Sequence, residues 1–323
     1  RHCEQLVVVE LCDGLEKIEK EAFYYCQLLE HMKIPSSVKT IGESAFEECN
    51  ALVNVQLCEG LERIEKEAFD SCKSLRCIKV PSTVKRIGEG AFSNCHQLVE
   101  VELCKGLEQV GQCAFMSCRS LIRTKVPSSV KVICPLAFKW CSQLLEVELC
   151  EGLEQIGCDA FLECKSLKSM KIPSTVKEIE SYEFSYCQFQ LMGVELSEEL
   201  EKIGEGAFEY CHSLRNMAFP PTATDISNCF GGCHDLIKLF GSQQEIISAL
   251  KSRFDELPIH KMCYYQPFHS TDVTIERLYN DILGSASNQS EAPLSAPGTS
   301  GSTQDCLGMT QGLFSRMDLC RGE

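Results

Sequence analysis

The sequence predicts an α/β solenoid, a right-handed superhelix with one continuous parallel β-sheet and C-terminal capping helices. Three observations carry this prediction. The pair Ala-Phe recurs with its phenylalanine at Phe23, Phe46, Phe69, Phe92, Phe115, Phe138 and Phe161, each 23 residues after the last. A cysteine follows each by three residues, at Cys26, Cys49, Cys72, Cys95, Cys118, Cys141 and Cys164. A short apolar-polar alternation of strand type precedes every Ala-Phe. The series runs on through Phe184, Phe208 and Phe230, so about ten units fill residues 1–240.

The unit at 98–121 shows the elements in order. Leu98, Val101 and Leu103 mark the strand, Leu107 and Val110 follow, and Ala114, Phe115, Cys118 and Leu121 complete the return. Each unit therefore reads as a strand, a turn and a short helical or irregular return. One such unit has too little apolar surface to bury by itself, but stacking buries it against the next. With parallel strands about 4.8 Å apart, ten units make a rod roughly 50 Å long. Two kinds of unit alternate. One carries Cys-x-Gly-Leu-Glu after the strand, at Cys12, Cys58, Cys104 and Cys150; the other carries Pro-Ser-x-Val-Lys, at Pro35, Pro81, Pro127 and Pro173. Proline fixes φ and lacks a donor, so it suits the point where a strand leaves the sheet. The true period is therefore 46. Counting backward, Cys3 is the cysteine of a unit whose first part lies before Arg1, so the first strand is expected to expose apolar surface.

Beyond the repeats, Ile246, Ile247, Leu250 and Phe254 recur at helical spacing behind Ser242, and Val273, Ile275, Leu278, Tyr279 and Ile282 suggest a second amphipathic helix. A helical cap is expected over 241–283. Residues 284–304 are rich in Ser, Gly, Ala and Pro and are expected to be a disordered linker, and 305–323 form a short tail.

These residues resemble the BspA-like leucine-rich-repeat family, whose units read roughly I-P-x-x-V-x-x-I-G-x-x-A-F-x-x-C-x-x-L. Ile172-Pro173-Ser174-Thr175-Val176, Ile87-Gly88-Glu89-Gly90-Ala91-Phe92 and Cys95 match that pattern directly. The paired unit, with Leu257-Pro258-Ile259-His260-Lys261 and Cys263-Tyr264-Tyr265-Gln266, looks like the diatom members. The resemblance implies a curved solenoid with one continuous parallel sheet. It also brings no catalytic residue with it.

The composition narrows the function. Of 323 residues, 46 are acidic and 31 basic, for a net charge of −15. Nucleic acid and anionic membrane surfaces both call for a basic footprint, so neither is an expected partner. No apolar run reaches the 18 to 20 residues or so of a membrane span. Twenty-three cysteines suggest a disulfide scaffold until their register is read. Ten occupy one fixed position of the unit, where a small buried apolar residue is the simplest account. That favours reduced thiols and a cytoplasmic setting, with a cell-surface or secreted setting as the alternative. Off-register Cys77, Cys113, Cys134, Cys158 and Cys263 are the better candidates for reactive thiols. Cys229, Cys233 and His234 invite a metal or haem reading, but Cys233-His234 repeats Cys211-His212 and Cys95-His96 in register. Gly204-Glu205-Gly206 repeats Gly88-Glu89-Gly90 and is turn punctuation rather than a phosphate loop. No cofactor, metal or catalytic set is expected.

The outward strand positions remain. The residue before the last strand hydrophobe reads Glu10, Lys33, Gln56, Lys79, Glu102, Lys125, Glu148, Lys171 and Glu195. Alternating charge down adjacent strands stabilises stacking, at about 0.2–1 kcal/mol per pair. Val99, Ile122 and Leu145 recur at one position expected to be exposed, flanked by Glu100, Arg123 and Glu146. An exposed apolar patch marks an interaction site, so these six residues are the candidate partner-binding patch. The expected function is a non-enzymatic protein–protein interaction scaffold. The alternatives are a surface or secreted adhesin and a recognition module of a larger signalling or enzymatic protein.

Overall fold

In the computed structural model the described residues are 3 to 236, apart from 188, 189, 221, 224 and 227, together with 246 to 248. Arg1–Cys263 forms one compact unit; the second, Tyr264–Glu323, lies outside the described residues.

The strand of each unit alternates as a half-buried strand must. In Glu100–Leu103 the two glutamates face outward while Val101 and Leu103 are buried. Eight such strands, from His31–Lys33 to Gly193–Glu195, pair in parallel in sequence order and form the main sheet. A single parallel bridge, Gly193↔Asn216, carries the register one unit further.

The expectation of one continuous sheet is corrected. The segment after each turn forms a second row of two-residue strands, from Lys17–Ile18 to Gln155–Ile156, in a seven-stranded parallel sheet. Glu178–Ile179, Lys202–Ile203 and Asp225–Ile226 form a further three-stranded parallel sheet. The cause is the second apolar pair of the unit. Leu107 and Val110 must also reach the interior, and both are fully buried, as are their counterparts Leu153 and Ile156.

Of the helical or irregular return expected for each unit, the structure shows the irregular form. Among the described residues helix is confined to 234–236 and 246–248, and the Ala-Phe return is a run of turns. Cys113 and Ser117, either side of Ala114-Phe115, have φ of 54° and 60°. A left-handed residue every fourth position breaks the i→i−4 ladder of an α-helix. The turns bond between units instead: the Phe46 N–H donates to the Ala68 carbonyl at 2.8 Å, and Phe69 to Ala91 at 2.8 Å. Of the expected C-terminal cap, 246–248 are helical and Ile246 is buried. The other expected cap residues, the linker 284–304, the tail and Leu257 to Gln266 lie outside the described residues.

The core is a set of columns. Phe46 to Phe161 are fully buried, and Phe23, at the first described unit, is half-buried. Neighbouring rings stack nearly parallel, with centroids 5.0 Å apart at Phe23–Phe46 and 5.4 Å at Phe138–Phe161. Each contact of this type is worth about 0.5–1.5 kcal/mol beyond area burial. The buried cysteines do more than fill space. The Cys72 thiol donates to the Phe46 carbonyl at 3.1 Å, Cys118 to Phe92 at 3.2 Å and Cys233 to Phe208 at 2.9 Å. Each unit thus hangs its thiol on the carbonyl of the unit before.

The 46-residue pairing also has a physical basis. The Gly60 N–H donates to the Thr83 hydroxyl at 3.1 Å, and that hydroxyl donates back to the Leu61 carbonyl at 2.6 Å. Gly106 bonds Ser129 in the same way at 3.0 Å, and Gly152 bonds Thr175 at 3.1 Å. The Cys-x-Gly turn of one unit is therefore clamped by the Pro-Ser-[Ser/Thr] turn of the next. Gly106 has a φ of 121°, and a Cβ there would lie 2.1 Å from the Ser82 carbonyl oxygen of the preceding Pro-Ser turn. Only glycine fits between the two.

Candidate functional site

The solenoid presents two sheet surfaces and a turn edge. On the main sheet the charged column pairs with itself. Lys79 and Glu102 lie 3.1 Å apart and Lys171 and Glu195 2.9 Å, while Lys125 bonds Glu148. The Glu102 hydrogen bond raises the pKa of Lys79, and the Glu148 hydrogen bond raises that of Lys125. Largely exposed pairs of this kind contribute at most about 1 kcal/mol each.

One column over, Arg123 lies in register between Glu100 and Glu146. Glu100 is exposed, and Arg123 and Glu146 are half-buried. The apolar part of the candidate patch is corrected. Ile122 is only 3% exposed, and Val99 and Leu145 are half-buried. These three residues lie just before the strands Glu100–Leu103, Arg123–Val126 and Glu146–Leu149, and alternation from buried Val101, Thr124 and Val147 turns them inward. The structure brings the six residues together on neighbouring units, but as a charged row with an apolar border rather than an exposed apolar patch.

The second sheet carries a charge ladder that sequence reasoning missed. Just ahead of its strands Lys39 and Glu62 approach to 4.0 Å, Lys85 and Glu108 to 3.6 Å, and Lys131 and Glu154 to 3.0 Å. Its signal was the alternation of Gly-Leu-Glu with Val-Lys along the 46-residue pair.

The turn edge differs. Among the described residues sixteen non-glycine residues have positive φ, each two positions before or after the repeat phenylalanine. Each left-handed residue with a Cβ costs about 1–2 kcal/mol relative to the right-handed region. In the first three units these positions carry Glu21, Tyr25, Ser44, Glu48, Glu67 and Ser71. Burial pushes the Glu47 carboxyl up, and the negative charges of Asp70, Glu67 and Glu48 push the same way. Later units place Leu136, Trp140, Tyr182, Tyr186 and Tyr210 there. Trp140 and Tyr182 are 40% exposed and Tyr186 and Tyr210 36%, so burial does not offset the strain in full. Tyr186 stacks on Tyr210 at 4.6 Å, Tyr210 meets His212 edge-on at 6.1 Å, and His212 stacks on His234 at 4.3 Å. The Lys139 ammonium sits 4.8 Å from the Trp140 ring centroid. Sequence reasoning missed these aromatics. The signal was their place in columns where other units have Ser, Glu, Asn or Gly.

The cysteines divide by column. The buried column is hydrogen-bonded, and burial raises the thiol pKa of Cys49 to about 12 and pushes those of Cys72, Cys118 and Cys164 up as well. The off-register thiols Cys77, Cys113, Cys134 and Cys158 are half-buried. Burial raises the pKa of Cys113 and Cys158 as well, which lowers their thiolate fraction. The Gln109 side-chain amide donates to the Cys134 sulfur at 2.9 Å. Cys229 and Cys233 are fully buried, with Cys233 in the thiol column. Cys263 lies outside the described residues. Among the described residues no group of His, Cys, Asp and Glu is placed to hold a metal ion. No described helix is long and apolar enough to cross a membrane.

A stacked parallel solenoid with variable outer columns defines a repeat protein of the leucine-rich-repeat class. The family model described as the BspA type leucine rich repeat region matches residues 1–87, 63–190 and 188–271, and the chain belongs to that family. Among solved structures, a leucine-rich repeat protein from Bacteroides ovatus is 24% identical, with 68% of this chain and 80% of that chain covered and a TM-score of 0.40. A leucine rich cell surface protein from Faecalibacterium prausnitzii is 24% identical over 68% of this chain and 77% of that one, with a TM-score of 0.36. The leucine-rich repeat protein of T. pallidum is 25% identical over 70% and 86%, also with a TM-score of 0.36. No curated protein matches the chain.

Proposed function

We propose that this chain is a non-enzymatic protein–protein interaction scaffold that docks a partner on the main sheet at Glu100, Arg123 and Glu146, bordered by Val99, Ile122 and Leu145. The observation that carries it is the contrast between inner and outer columns. Val101, Thr124 and Val147 repeat one interior shape, while the adjacent outward column changes through Asn54, Cys77, Glu100, Arg123, Glu146 and Ser169. A surface that changes over an unchanging core is free to be shaped by what it binds. The row at Glu100, Arg123 and Glu146 offers a partner fixed charges of both signs, and charge complementarity sets orientation and specificity. A photo-reactive residue at Glu100 is expected to trap a partner protein in cells, with the adduct lost when Arg123→Glu is added. A control at Gln155, exposed on the second sheet, is expected to trap nothing. Equal trapping at both positions, or none at Glu100, refutes this surface.

A reducing, cytoplasmic setting is part of the proposal. From Cys49 to Cys233 each thiol of the column donates its proton to a carbonyl, and a disulfide there would forfeit that bond. Alkylation of the freshly isolated protein in denaturant, before any reductant, is expected to modify the whole column. Thiols that react only after reduction would point instead to a surface or secreted adhesin.

A further inference from the structure

Leu136, Trp140, Tyr182, Tyr186 and Tyr210 all stand at left-handed backbone positions that glycine fills at Gly90, Gly206 and Gly232. Four of the five are more than a third exposed. A bulky residue at positive φ is an outlier, and backbone strain that burial does not offset concentrates at binding sites. The rings also have order. Tyr182 packs over Gly206 and Tyr210 over Gly232, where an added Cβ would lie 2.3 Å and 2.6 Å from the respective rings. Tyr186 stacks on Tyr210, its N–H donates to the Glu209 carbonyl, and the Glu163 N–H donates to the neighbouring Ser185 carbonyl, so both glutamates border the rings; the Glu163 carboxylate also lies 3.2 Å from the Lys165 ammonium. The edge therefore combines flat π-faces with negative charge, on a chain of net charge −15. Its chemistry is already in use once within the fold, where Lys139 lies over Trp140.

The geometry points to the turn edge from Trp140 to Tyr210 as a docking site for an arginine-rich segment of a partner protein, with guanidinium groups stacked on Trp140, Tyr186 and Tyr210 and paired with Glu163 and Glu209. Guanidinium suits this edge better than ammonium because it is planar, weakly hydrated and forms paired hydrogen bonds to carboxylates. The rings and carboxylates lie on successive units, so an extended segment running along the solenoid reaches them in turn. The acidic residues of the earlier units, Glu48, Glu67 and Asp70, continue the same edge and favour a basic chain along it. The inference rests on reading the chain as a binding scaffold, but not on the main-sheet surface.

The test uses the full chain and a fluorescein-labelled nine-residue arginine peptide, followed by fluorescence anisotropy at about 0.15 M salt. A nine-residue lysine peptide and a nine-residue glutamate peptide are the comparisons. The arginine peptide is expected to bind more tightly than the lysine peptide, and the glutamate peptide not at all. The double variant Tyr186→Gly, Tyr210→Gly removes two rings and relieves two strained positions. Its affinity for the arginine peptide is expected to fall about tenfold while its unfolding midpoint in urea rises. Affinity unchanged within twofold overturns the proposal. So does equal binding of the arginine and lysine peptides, which would mark a diffuse charge effect, or a variant that loses both binding and stability. Glu100 cross-linking in the same variant is expected to persist, which separates a failure here from a failure of the main-sheet reading.

Discussion

Glu183 stands where other units have alanine, at Ala45, Ala68, Ala91, Ala114, Ala137, Ala160 and Ala207, and it is completely buried. One carboxylate oxygen accepts from the Glu180 N–H at 3.0 Å; the other has no partner. Burial pushes its pKa well above the usual carboxylate range, and the Glu180 hydrogen bond opposes the shift only in part. The sign follows directly. A carboxyl whose folded pKa exceeds its unfolded value near about 4.3 binds more protons in the fold, so stability falls as pH rises from about 4.3 to the folded pKa. Each pH unit in that window costs about 1.4 kcal/mol. Glu183→Ala and Glu183→Gln are therefore expected to be more stable than the parent at neutral pH. Urea unfolding from pH 5 to 8, followed through the single tryptophan, Trp140, gives the comparison. The gap between parent and variant is expected to widen by about 1.4 kcal/mol per unit over the lower part of that range. Glu183→Gln keeps the shape of the side chain, so it separates charge from packing. A gap that stays flat with pH, or a Glu183→Gln protein less stable than its parent at pH 7, refutes the reasoning.

Other outcomes follow from the same columns. Thr124 is 2% exposed with an unpartnered hydroxyl, in register with Val101 and Val147, so Thr124→Val is expected to raise stability by about 1–2 kcal/mol in urea unfolding. Gly106→Ala places a Cβ against the Ser82 carbonyl at a φ of 121° and is expected to lower stability by about 1–3 kcal/mol, measured in the same way. Phe115→Ala removes one ring from the stack and opens a cavity, for an expected loss of about 3–5 kcal/mol. Thiol labelling at pH 8, read by mass spectrometry, is expected to modify exposed Cys12 well before Cys72, Cys95, Cys118 or Cys141. Early modification of the buried column would mean that the units open far more readily than their packing implies.

Much of this fold was legible because its columns repeat without interruption. Phe115 and Cys118 could be placed in register with Phe138 and Cys141 from spacing alone, and so could the Lys-Glu alternation of the main sheet. Elements too short to show a period were not legible. Arg63–Ile64 and Gln109–Val110 are two residues each, which leaves no alternation to read. The turn geometry was hidden because most of its left-handed positions carry residues such as Cys113, Leu136 and Tyr182, which ordinarily avoid that conformation. Ile122 was misread for a different reason. It lies just before the strand Arg123–Val126, and alternation from buried Thr124 and Val126 turns it inward, so the expectation of exposure ran against the pleat. The burial of Glu183 was foreshadowed by its place in the Ala column, though nothing in its spacing indicated that one oxygen would lack a partner.

The clamp between a Cys-x-Gly turn and the Pro-Ser-[Ser/Thr] turn after it imposes parity on the length of this protein. Gly60, Gly106 and Gly152 each find a hydroxyl on the next unit and a close carbonyl on the previous one, and both come from the other kind of unit. Insertion or deletion of a single unit would set two glycine turns, or two proline turns, side by side. The first arrangement strands the glycine N–H without its hydroxyl, and the second leaves hydroxyls with no amide to accept from. Growth and loss by even numbers keep every clamp intact. Chains built on this pattern should differ in length by multiples of 46 residues, and odd steps should be confined to places where half the clamp has lapsed, as at Glu199, whose N–H turns to the Ser197 hydroxyl while Thr222 still donates to the Leu200 carbonyl.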